Sequence, residues 1–148
     1  MIYLKDVWTD NWYKVIKLSP GKENEKRFPS NRKTLLQALL NDKLENVKAI
    51  YHNEELIGLT WFNIKEESIF IVRFMIDENF QGKGYGKKSL EKIIDYLKKN
   101  YDKKNIEIST DSEIALKLYK KCGFEEVNDK NSKLFRERYN EILLVYKN

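Results

Sequence analysis

The sequence is poor in the residues that build disulfides, zinc centres and histidine-based active sites. Its 148 residues include one cysteine, Cys122, and one histidine, His52. A single cysteine excludes an intramolecular disulfide and argues against a cysteine-rich zinc site. One histidine removes most catalytic schemes that use this side chain as an acid or base. We therefore expect no bound metal. We also expect that any catalytic role is carried by other side chains or by backbone groups.

Long apolar runs and repeats are also missing. No apolar stretch approaches the roughly 18 residues that a membrane-spanning helix needs, and no positively charged and then apolar leader is present. We therefore expect a soluble, cytoplasmic protein without a membrane partner. Because no low-complexity linker interrupts a chain of this length, we also expect one domain over residues 1–148.

Charged and hydrophobic residues are plentiful. The 28 Lys and Arg against 23 Asp and Glu give a net charge of +5, and 41% of the residues are hydrophobic. This composition is typical of a folded globular protein. The positive charge is compatible with an anionic ligand or with nucleic acid. The lysines are spread along the chain, however, which favours a role in solubility, and we expect no nucleic-acid partner.

Hydrophobic periodicity predicts a mixed α/β fold with the order β-α-α-β-β-β-α-β-α-β-β. Three strands in succession imply an antiparallel section, and the strand–helix–strand unit over residues 69–109 implies a parallel pair. The prediction is a central mixed sheet of roughly six to seven strands flanked by about four helices. The strands are expected at residues 2–7, 47–51, 56–63, 69–76, 106–109, 125–128 and 142–146.

Capping residues predict where the helices begin and end. Thr9 or Asp10 is expected to cap a short helix, and Asp111 or Ser112 a later helix that ends at Gly123. Ser30 is expected to cap a helix that buries four leucines, Leu35, Leu36, Leu39 and Leu40. The helix after the glycines is expected to bury Leu90, Ile93, Ile94 and Leu97. Residues 22–29 are predicted as a loop, residues 129–132 as a turn and residues 133–140 as an extension of a neighbouring strand.

The most informative segment contains three alternating glycines, Gly82, Gly84 and Gly86. They follow the apolar run that ends at Ile76 and precede an amphipathic helix. Glycine allows positive φ and a close approach of the backbone to a ligand. Backbone N–H groups at a helix N-terminus attract anions. The order of strand, glycine turn and helix therefore predicts a pyrophosphate site.

Other glycine loops do not fit this spacing. A P-loop and a dinucleotide fingerprint both require a glycine where Lys87 stands. The protein-kinase loop shares the dinucleotide spacing, but no H-R-D or D-F-G segment accompanies it here.

Two segments together resemble the GNAT superfamily of N-acetyltransferases. Gln81-Gly82-Lys83-Gly84-Tyr85-Gly86 is similar to its [QR]-x-x-G-x-[GA] loop. The segment from Ala115 to Phe124, A-L-K-L-Y-K-K-C-G-F, is similar to its A-[IL]-x-L-Y-x-x-x-G-F helix. The predicted order of strands and helices is also that of the superfamily, so the resemblance covers most of the chain.

The resemblance implies that acetyl-CoA is the cosubstrate and that no metal takes part. The loop would receive its pyrophosphate through Gln81, Gly82, Lys83, Gly84, Tyr85, Gly86 and Lys87. The preceding strand, with Phe74, Met75 and Ile76, would pair with the pantetheine arm, and a backbone N–H near Met75 or Ile76 would polarise the thioester carbonyl. Lys83, Lys87 and Lys88 would attract the phosphates or simply form a solvated helix face.

Tyr119 is the catalytic candidate that the resemblance implies. It would protonate the CoA thiolate after an amine attacks the thioester directly, without a covalent enzyme intermediate. Without the motif, Tyr119 would read as a core aromatic residue. Cys122 lies beside the helix-ending glycine and has no nearby histidine in the sequence, so a small buried apolar role is expected for it.

Two positions depart from the family pattern. Many members carry Asn where Ser112 stands, so Ser112 would bind pantetheine with one bond or only cap the helix. Many also carry an acidic base before the loop, where this chain has Val72 and Arg73. Four carboxylates are candidates for the general base by charge alone; the alternative is that they are exposed loop residues without a catalytic role. They are Glu23, Glu25, Glu66 and Glu67.

The segment around the loop is most similar to bacterial diamine and polyamine N-acetyltransferases. Phe28-Pro29-Ser30-Asn31 is similar to the F-x-x-N segment of that branch. A small amine such as spermidine is therefore the expected acceptor. The oligomeric state is left open by the sequence, with a homodimer as one alternative. Four aromatic residues would line its pocket or belong to the core: Trp8, Trp12, Phe28 and Trp61. Two alternatives stay open, a protein or peptide acceptor and a non-catalytic module that binds a nucleotide or nucleic acid.

Overall fold

The computed structural model describes residues 1–102 and 104–147. Its helices and strands, in chain order, are β1 (Ile2–Asp6), α1 (Trp12–Val15), α2 (Lys22–Glu25), α3 (Asn31–Leu40), β2 (Val47–His52), β3 (Glu55–Ile64), β4 (Ser68–Ile76), α4 (Tyr85–Asn100), β5 (Asn105–Thr110), α5 (Glu113–Lys121), β6 (Glu125–Glu126), α6 (Lys130–Tyr139) and β7 (Ile142–Tyr146).

The strands form a seven-stranded sheet in the order β1-β2-β3-β4-β5-β7-β6. β1 pairs with β2, β2 with β3, and β7 with both β5 and β6 in antiparallel ladders. β4 and β5 pair in parallel. The mixed α/β fold and its parallel pair, predicted from the strand–helix–strand unit, are therefore confirmed.

The contacts divide the chain into two compact units. The first comprises Met1–Phe62 and Val72–Lys92. Its core gathers buried residues of β1, α1, α3, β2 and β3, including Val15, Ala38 and Leu59. The second comprises Asn63–Ile71 and Ile93–Asn148, and Ile106, Ile108 and Leu144 are among its buried residues. That residues 1–148 make one domain stays a prediction.

Helix α4 follows its predicted pattern. Leu90, Ile93, Ile94 and Leu97 are all buried, because a spacing of three and four residues places them on one face of the helix. Complete burial of a leucine or isoleucine side chain contributes about 1.5–3 kcal/mol. This stripe therefore holds the helix that follows the glycines.

Helix α3 does not bury the face that its leucines predicted. Leu36, Leu39 and Leu40 are exposed, and the buried positions are Asn31, Thr34 and Ala38. Asn31 Nδ2 donates a hydrogen bond to Val15 O at 2.9 Å, which holds this polar side chain in the interior. Sequence hydrophobicity gives no sign of such a bond.

Capping is confirmed at two helices and differs at a third. Ser30 Oγ accepts a hydrogen bond from Lys33 N, and Ser112 Oγ accepts one from Ala115 N. At α1 the N-cap position is Asn11, instead of Thr9 or Asp10, and Asn11 Oδ1 accepts from Trp8 N.

Two short helices were not predicted. α2 occupies part of the expected loop at residues 22–29. α6 replaces the expected turn and strand extension at residues 129–140, and β6 contains only Glu125 and Glu126. Asp129 and Ser132 form a capping box at the start of α6, and each accepts a bond from the other's backbone N–H. The low apolar content of the segment hid this helix, which its N-terminal cap could have indicated.

Candidate functional site

The glycine turn joins β4 to α4. After Ile76, a 3₁₀ turn over Glu78–Phe80 leads to Gly82 and Gly84, whose φ angles are +75° and +84°. A Cβ atom added to either glycine would meet nothing within 4 Å. Glycine is therefore favoured at both positions because of the positive φ angles and not because of crowding, and the turn faces open space.

The first turn of α4 lies directly after the glycines. Tyr85, Gly86 and Lys87 open this helix of 16 residues. The first N–H groups of a helix have no partner within it, and the helix dipole adds positive potential there. An open turn followed by these donors is suited to a phosphate group.

The lysines near the turn are exposed and take part in surface contacts. Lys83 Nζ donates to Asn79 O at 3.2 Å and lies 5.9 Å from the centre of the Phe80 ring. Lys87 Nζ is 3.8 Å from Glu91 Oε1. Such exposed contacts are weak and can be exchanged for a phosphate.

Two side chains of the turn are hydrogen-bonded to other parts of the first unit. The buried Asp77 carboxylate accepts bonds from Ser19 N and Asn79 N, each at 3.0 Å. Gln81 Nε2 donates to Ile76 O at 2.8 Å and to Pro20 O at 3.1 Å. The Gln81 amide therefore contacts the protein backbone in this structure.

An aromatic cluster lies at the start of α4. The Tyr85 ring is 4.7 Å from the His52 ring and 6.2 Å from the Phe80 ring, measured between centroids. The single histidine therefore packs beside the glycine turn. Sequence reasoning did not assign it to the site, and its position in a β-hairpin far from the loop gave no signal.

β4 carries the residues that were expected to meet pantetheine. Phe74 and Met75 are half-buried, and Ile76 is buried. A Cβ atom on Gly58 of β3 would lie 2.3 Å from Met75 O, so only glycine fits there. Thr60 Oγ1 donates to Arg73 O at 2.9 Å.

The parallel ladder between β4 and β5 is short. It pairs Ser68 with Asn105, Ile69 with Ile106 and Phe70 with Glu107, and β4 then continues to Ile76. Beyond the ladder, side chains bond three β4 carbonyl groups. Besides the bond from Thr60 to Arg73 O, Arg73 Nη1 donates to Val72 O at 2.9 Å, and Gln81 Nε2 donates to Ile76 O.

Tyr119 lies in the second unit, near the end of α5. Its side chain is buried, with 7% exposed, and its ring is 6.1 Å from the Phe124 ring. Gly123, at a φ of +100°, ends the helix. Phe124 N donates to Tyr119 O at 3.0 Å and Gly123 N to Lys120 O at 3.1 Å. These two bonds form a Schellman motif, which confirms the predicted end of the helix.

Burial raises the pKa of the Tyr119 phenol well above its usual value of 10.0, and the nearby Glu141 and Cys122 raise this pKa further. The phenol therefore stays protonated throughout the physiological range and can act as a hydrogen-bond donor. Glu141 lies outside every motif, so the sequence gave no sign of this influence.

The predicted site residues fall into two groups. Phe74–Ile76 and Gln81–Lys87 belong to the first unit, whereas Ser112 and Tyr119 belong to the second. The Ser112 hydroxyl is used as the cap of α5. The four candidate bases Glu23, Glu25, Glu66 and Glu67 are exposed, and Glu25 Oε1 accepts a bond from Ser19 Oγ at 2.6 Å.

Within residues 1–102 and 104–147, no group of three His, Cys, Asp or Glu side chains is arranged to hold a metal ion. In the same part of the chain, no helix is long and apolar enough to cross a membrane.

Comparisons with known proteins show which family the chain resembles. The Acetyltransferase (GNAT) family model matches residues 6–124. Spermine/spermidine N(1)-acetyltransferase of Bacillus subtilis (strain 168) is 28% identical over 134 residues, which cover 84% of this chain and 88% of that protein.

Solved structures share the fold over nearly the whole chain. A Bacillus subtilis acetyltransferase in complex with CoA superposes with a TM-score of 0.65 at 23% identity, covering 99% of this chain and 97% of the other. The ribosomal-protein-S18-alanine N-acetyltransferase of Escherichia coli gives a TM-score of 0.70 at 15% identity, with 99% and 94% coverage. With a family model that spans most of its length, the chain belongs to the GNAT family and is an acetyl-CoA-dependent N-acetyltransferase.

Proposed function

We propose that this enzyme acetylates a primary amine of a small polyamine or diamine, such as spermidine. The observation that carries the proposal is the 28% identity to a spermine/spermidine N(1)-acetyltransferase across most of both chains. The similarity of the glycine-loop region and of Phe28-Pro29-Ser30-Asn31 to that branch supports the same acceptor.

In this proposal, the glycine turn holds the pyrophosphate of acetyl-CoA. The N–H groups from Gly82 to Lys87 supply the donors, and Lys83, Lys87 and Lys88 add attraction. Support comes from the positive φ angles of Gly82 and Gly84 and from the open space beside both. This site needs no metal, because the amides and the helix dipole provide the positive potential.

The pantetheine arm would pair with β4 around Phe74. Successive residues of a strand direct their backbone groups to opposite neighbours. Arg73 and Met75 direct theirs to β3, where Thr60 and Gly58 lie. Phe74 and Ile76 therefore direct theirs to the other side, and Ile76 O is already bonded to Gln81.

This alternation assigns roles within the strand. Phe74 N–H and O would bond the pantetheine amides, and Ile76 N–H would polarise the thioester carbonyl. Met75 would act through its side chain alone.

Tyr119 would donate the proton that the CoA thiolate needs when the tetrahedral intermediate collapses. The amine nitrogen forms the new bond to the acetyl carbon, the carbon–sulfur bond breaks, and the amine loses a proton to a base or to water. The phenol is protonated at neutral pH, as this role requires, and burial makes it a weaker acid than an exposed tyrosine, so the support for the role comes from the motif. In the same scheme, Ser112 contributes one bond to pantetheine in addition to its capping bond.

A peptide or protein amine is the second candidate acceptor, and charge favours it. Residues 12–43, which contain α1 to α3, carry eight Lys or Arg and three Asp or Glu. In this alternative the acceptor binds along these helices, whose net charge of +5 repels a polycation and attracts an acidic acceptor. A protein acceptor is also named for the Escherichia coli neighbour.

A CoA-thiol release assay would discriminate between these acceptors. The purified enzyme would be given acetyl-CoA with spermidine, spermine, short diamines, an aminoglycoside, or acidic and neutral peptides with free N-termini. We expect the greatest kcat/KM with a polyamine. Turnover only with peptides would replace the first proposal by the second, and CoA binding without turnover on any acceptor would contradict both.

A further inference from the structure

The glycine turn is hydrogen-bonded to the segment between α1 and α2. We call residues 19–25, which comprise the end of this segment and α2 itself, the strap. Ser19 N donates to Asp77 Oδ2 at 3.0 Å, and Glu78 N donates to Ser19 O at 2.8 Å. Gln81 Nε2 donates to Pro20 O at 3.1 Å. Three bonds thus join two segments that are far apart in the sequence.

The strap has its own internal bonds. Ser19 Oγ donates to Glu25 Oε1 at 2.6 Å and accepts from Gly21 N at 3.1 Å. Asn24 Nδ2 donates to Pro20 O at 3.2 Å. Gly21 has a φ of +100°, and a Cβ atom there would lie 3.5 Å from Glu78 Oε2. The position of α2, with its carboxylates, is therefore tied to the position of Ser19 and Pro20.

Gln81 is the side chain that joins three backbone segments. Its amide nitrogen has two hydrogens, and these are given to Ile76 O at the end of β4 and to Pro20 O in the strap. In this arrangement the Gln81 side chain holds the turn through bonds to the protein backbone and does not bind the phosphate. The backbone N–H groups after Gln81 would bind the phosphate.

From these contacts we propose that Gln81 is a positioning residue which couples the binding of CoA to the ordering of the strap. This inference rests on the proposed pyrophosphate site. When a phosphate orders the turn, Asp77 and Gln81 hold Ser19 and Pro20 in place, and α2 is held with them. Because CoA binding has then already ordered α2, an acceptor that binds beside α2 loses less conformational entropy and binds more tightly.

The test is amide hydrogen exchange with and without CoA. In the wild-type protein, we expect CoA to slow exchange both at residues 78–88 and at residues 21–25. In Gln81→Glu, a carboxylate of nearly the same shape cannot donate to either carbonyl group. The bonds from Ser19 N to Asp77 and from Glu78 N to Ser19 O remain in this variant. We therefore expect CoA to protect the turn as before and the strap less than in the wild type, and the Kd for CoA to rise about tenfold.

Two further variants separate positioning from general destabilisation. Gln81→Arg keeps donor groups at this position and should restore protection of the strap. Asn41→Asp removes an exposed carboxamide bond of the same chemistry, from Asn41 Nδ2 to Gln37 O at 2.7 Å, in the same unit. It should leave both the Kd for CoA and the protection pattern unchanged.

Kinetics provide a second readout. If the coupling matters for catalysis, Gln81→Glu should raise the KM for the acceptor and for acetyl-CoA while kcat changes less. Protection of the strap by CoA in Gln81→Glu equal to that in the wild type would overturn the coupling. Failure of CoA to protect residues 78–88 in the wild-type protein would instead contradict the pyrophosphate site itself.

Discussion

The glycine turn and the end of α5 contribute to this enzyme in different ways. In the proposed mechanism, the phosphate-binding groups of the turn are backbone N–H donors, and side chains such as Asp77 and Gln81 hold the backbone in place. At α5, the backbone is arranged so that one side chain, Tyr119, is buried with its pKa raised. A backbone site tolerates many side chains but few conformations, whereas a side-chain site depends on one functional group.

The largest effect is expected from Tyr119→Phe. Loss of a general acid lowers rates by about 10²–10⁴-fold, so we expect kcat to fall in this range. Affinity for acetyl-CoA should be unchanged, because the ring still packs beside Phe124.

Steady-state kinetics and calorimetric titration with CoA would measure both quantities. The exposed Tyr13 offers a matched control, since Tyr13→Phe should leave kcat unaltered. If Tyr119→Phe has the same kcat as the wild type, the Tyr119 side chain has no catalytic role, and only the proposed backbone site at the glycine turn remains.

A second change tests the backbone region. Gly84→Val places a β-branched residue at a φ of +84°, which costs roughly 1–3 kcal/mol. A rearranged turn would aim its N–H groups away from the pyrophosphate. We expect the Kd for CoA to rise by about 10–100-fold, with a smaller change in the kcat that remains at saturation.

The control for this experiment is Gly86→Ala, because Gly86 lies within the helix and its φ is not positive. It should bind CoA nearly as well as the wild type. Equal losses of affinity in Gly84→Val and Gly86→Ala would point to crowding of the site in place of a required turn conformation.

The third prediction concerns alkaline pH. The pKa of Tyr119 is raised in the folded state, so the neutral phenol is favoured by folding, and this contribution is fully present below the unfolded pKa of about 10. Above that pH, the unfolded state ionises first. Stability should fall by up to about 1.4 kcal/mol per pH unit until the folded-state pKa is passed.

Urea unfolding of the wild type and Tyr119→Phe at pH 9 and pH 11 would reveal this contribution. The difference between their free energies of unfolding should shift in favour of Tyr119→Phe at the higher pH. A difference that is the same at both pH values would contradict the burial of the phenol.

The smallest effect is expected from Ser112→Ala. Loss of the bond from Ala115 N to Ser112 Oγ removes a helix cap, which costs about 1 kcal/mol. Thermal unfolding would detect it. If Ser112 also bonds pantetheine, the Kd for CoA rises a few-fold, and Ser112→Asn, which supplies another polar side chain, restores affinity. Ser30→Ala at the α3 cap is the matched control and should cost similar stability without changing the Kd.

Local rules predicted the parts of the molecule that depend on near neighbours in sequence. The stripe of α4 and the caps at Ser30 and Ser112 follow from residue spacing and from short-range hydrogen bonds. The Schellman end of α5 at Gly123 has the same origin. The capping box of α6 is equally local, but the polar composition of the segment masked it.

The sequence by itself determined the strand–turn–helix order around Gly82 and Gly84 and the family of the chain, because both depend on residue types at fixed spacing. Only the tertiary structure decided that Asn31 of α3 is buried while most of its leucines are exposed, that Glu141 acts on Tyr119, and that Gln81 reaches Pro20. Each of these joins segments whose separation in the sequence carries no periodic signal, so their meeting depends on how the whole chain folds.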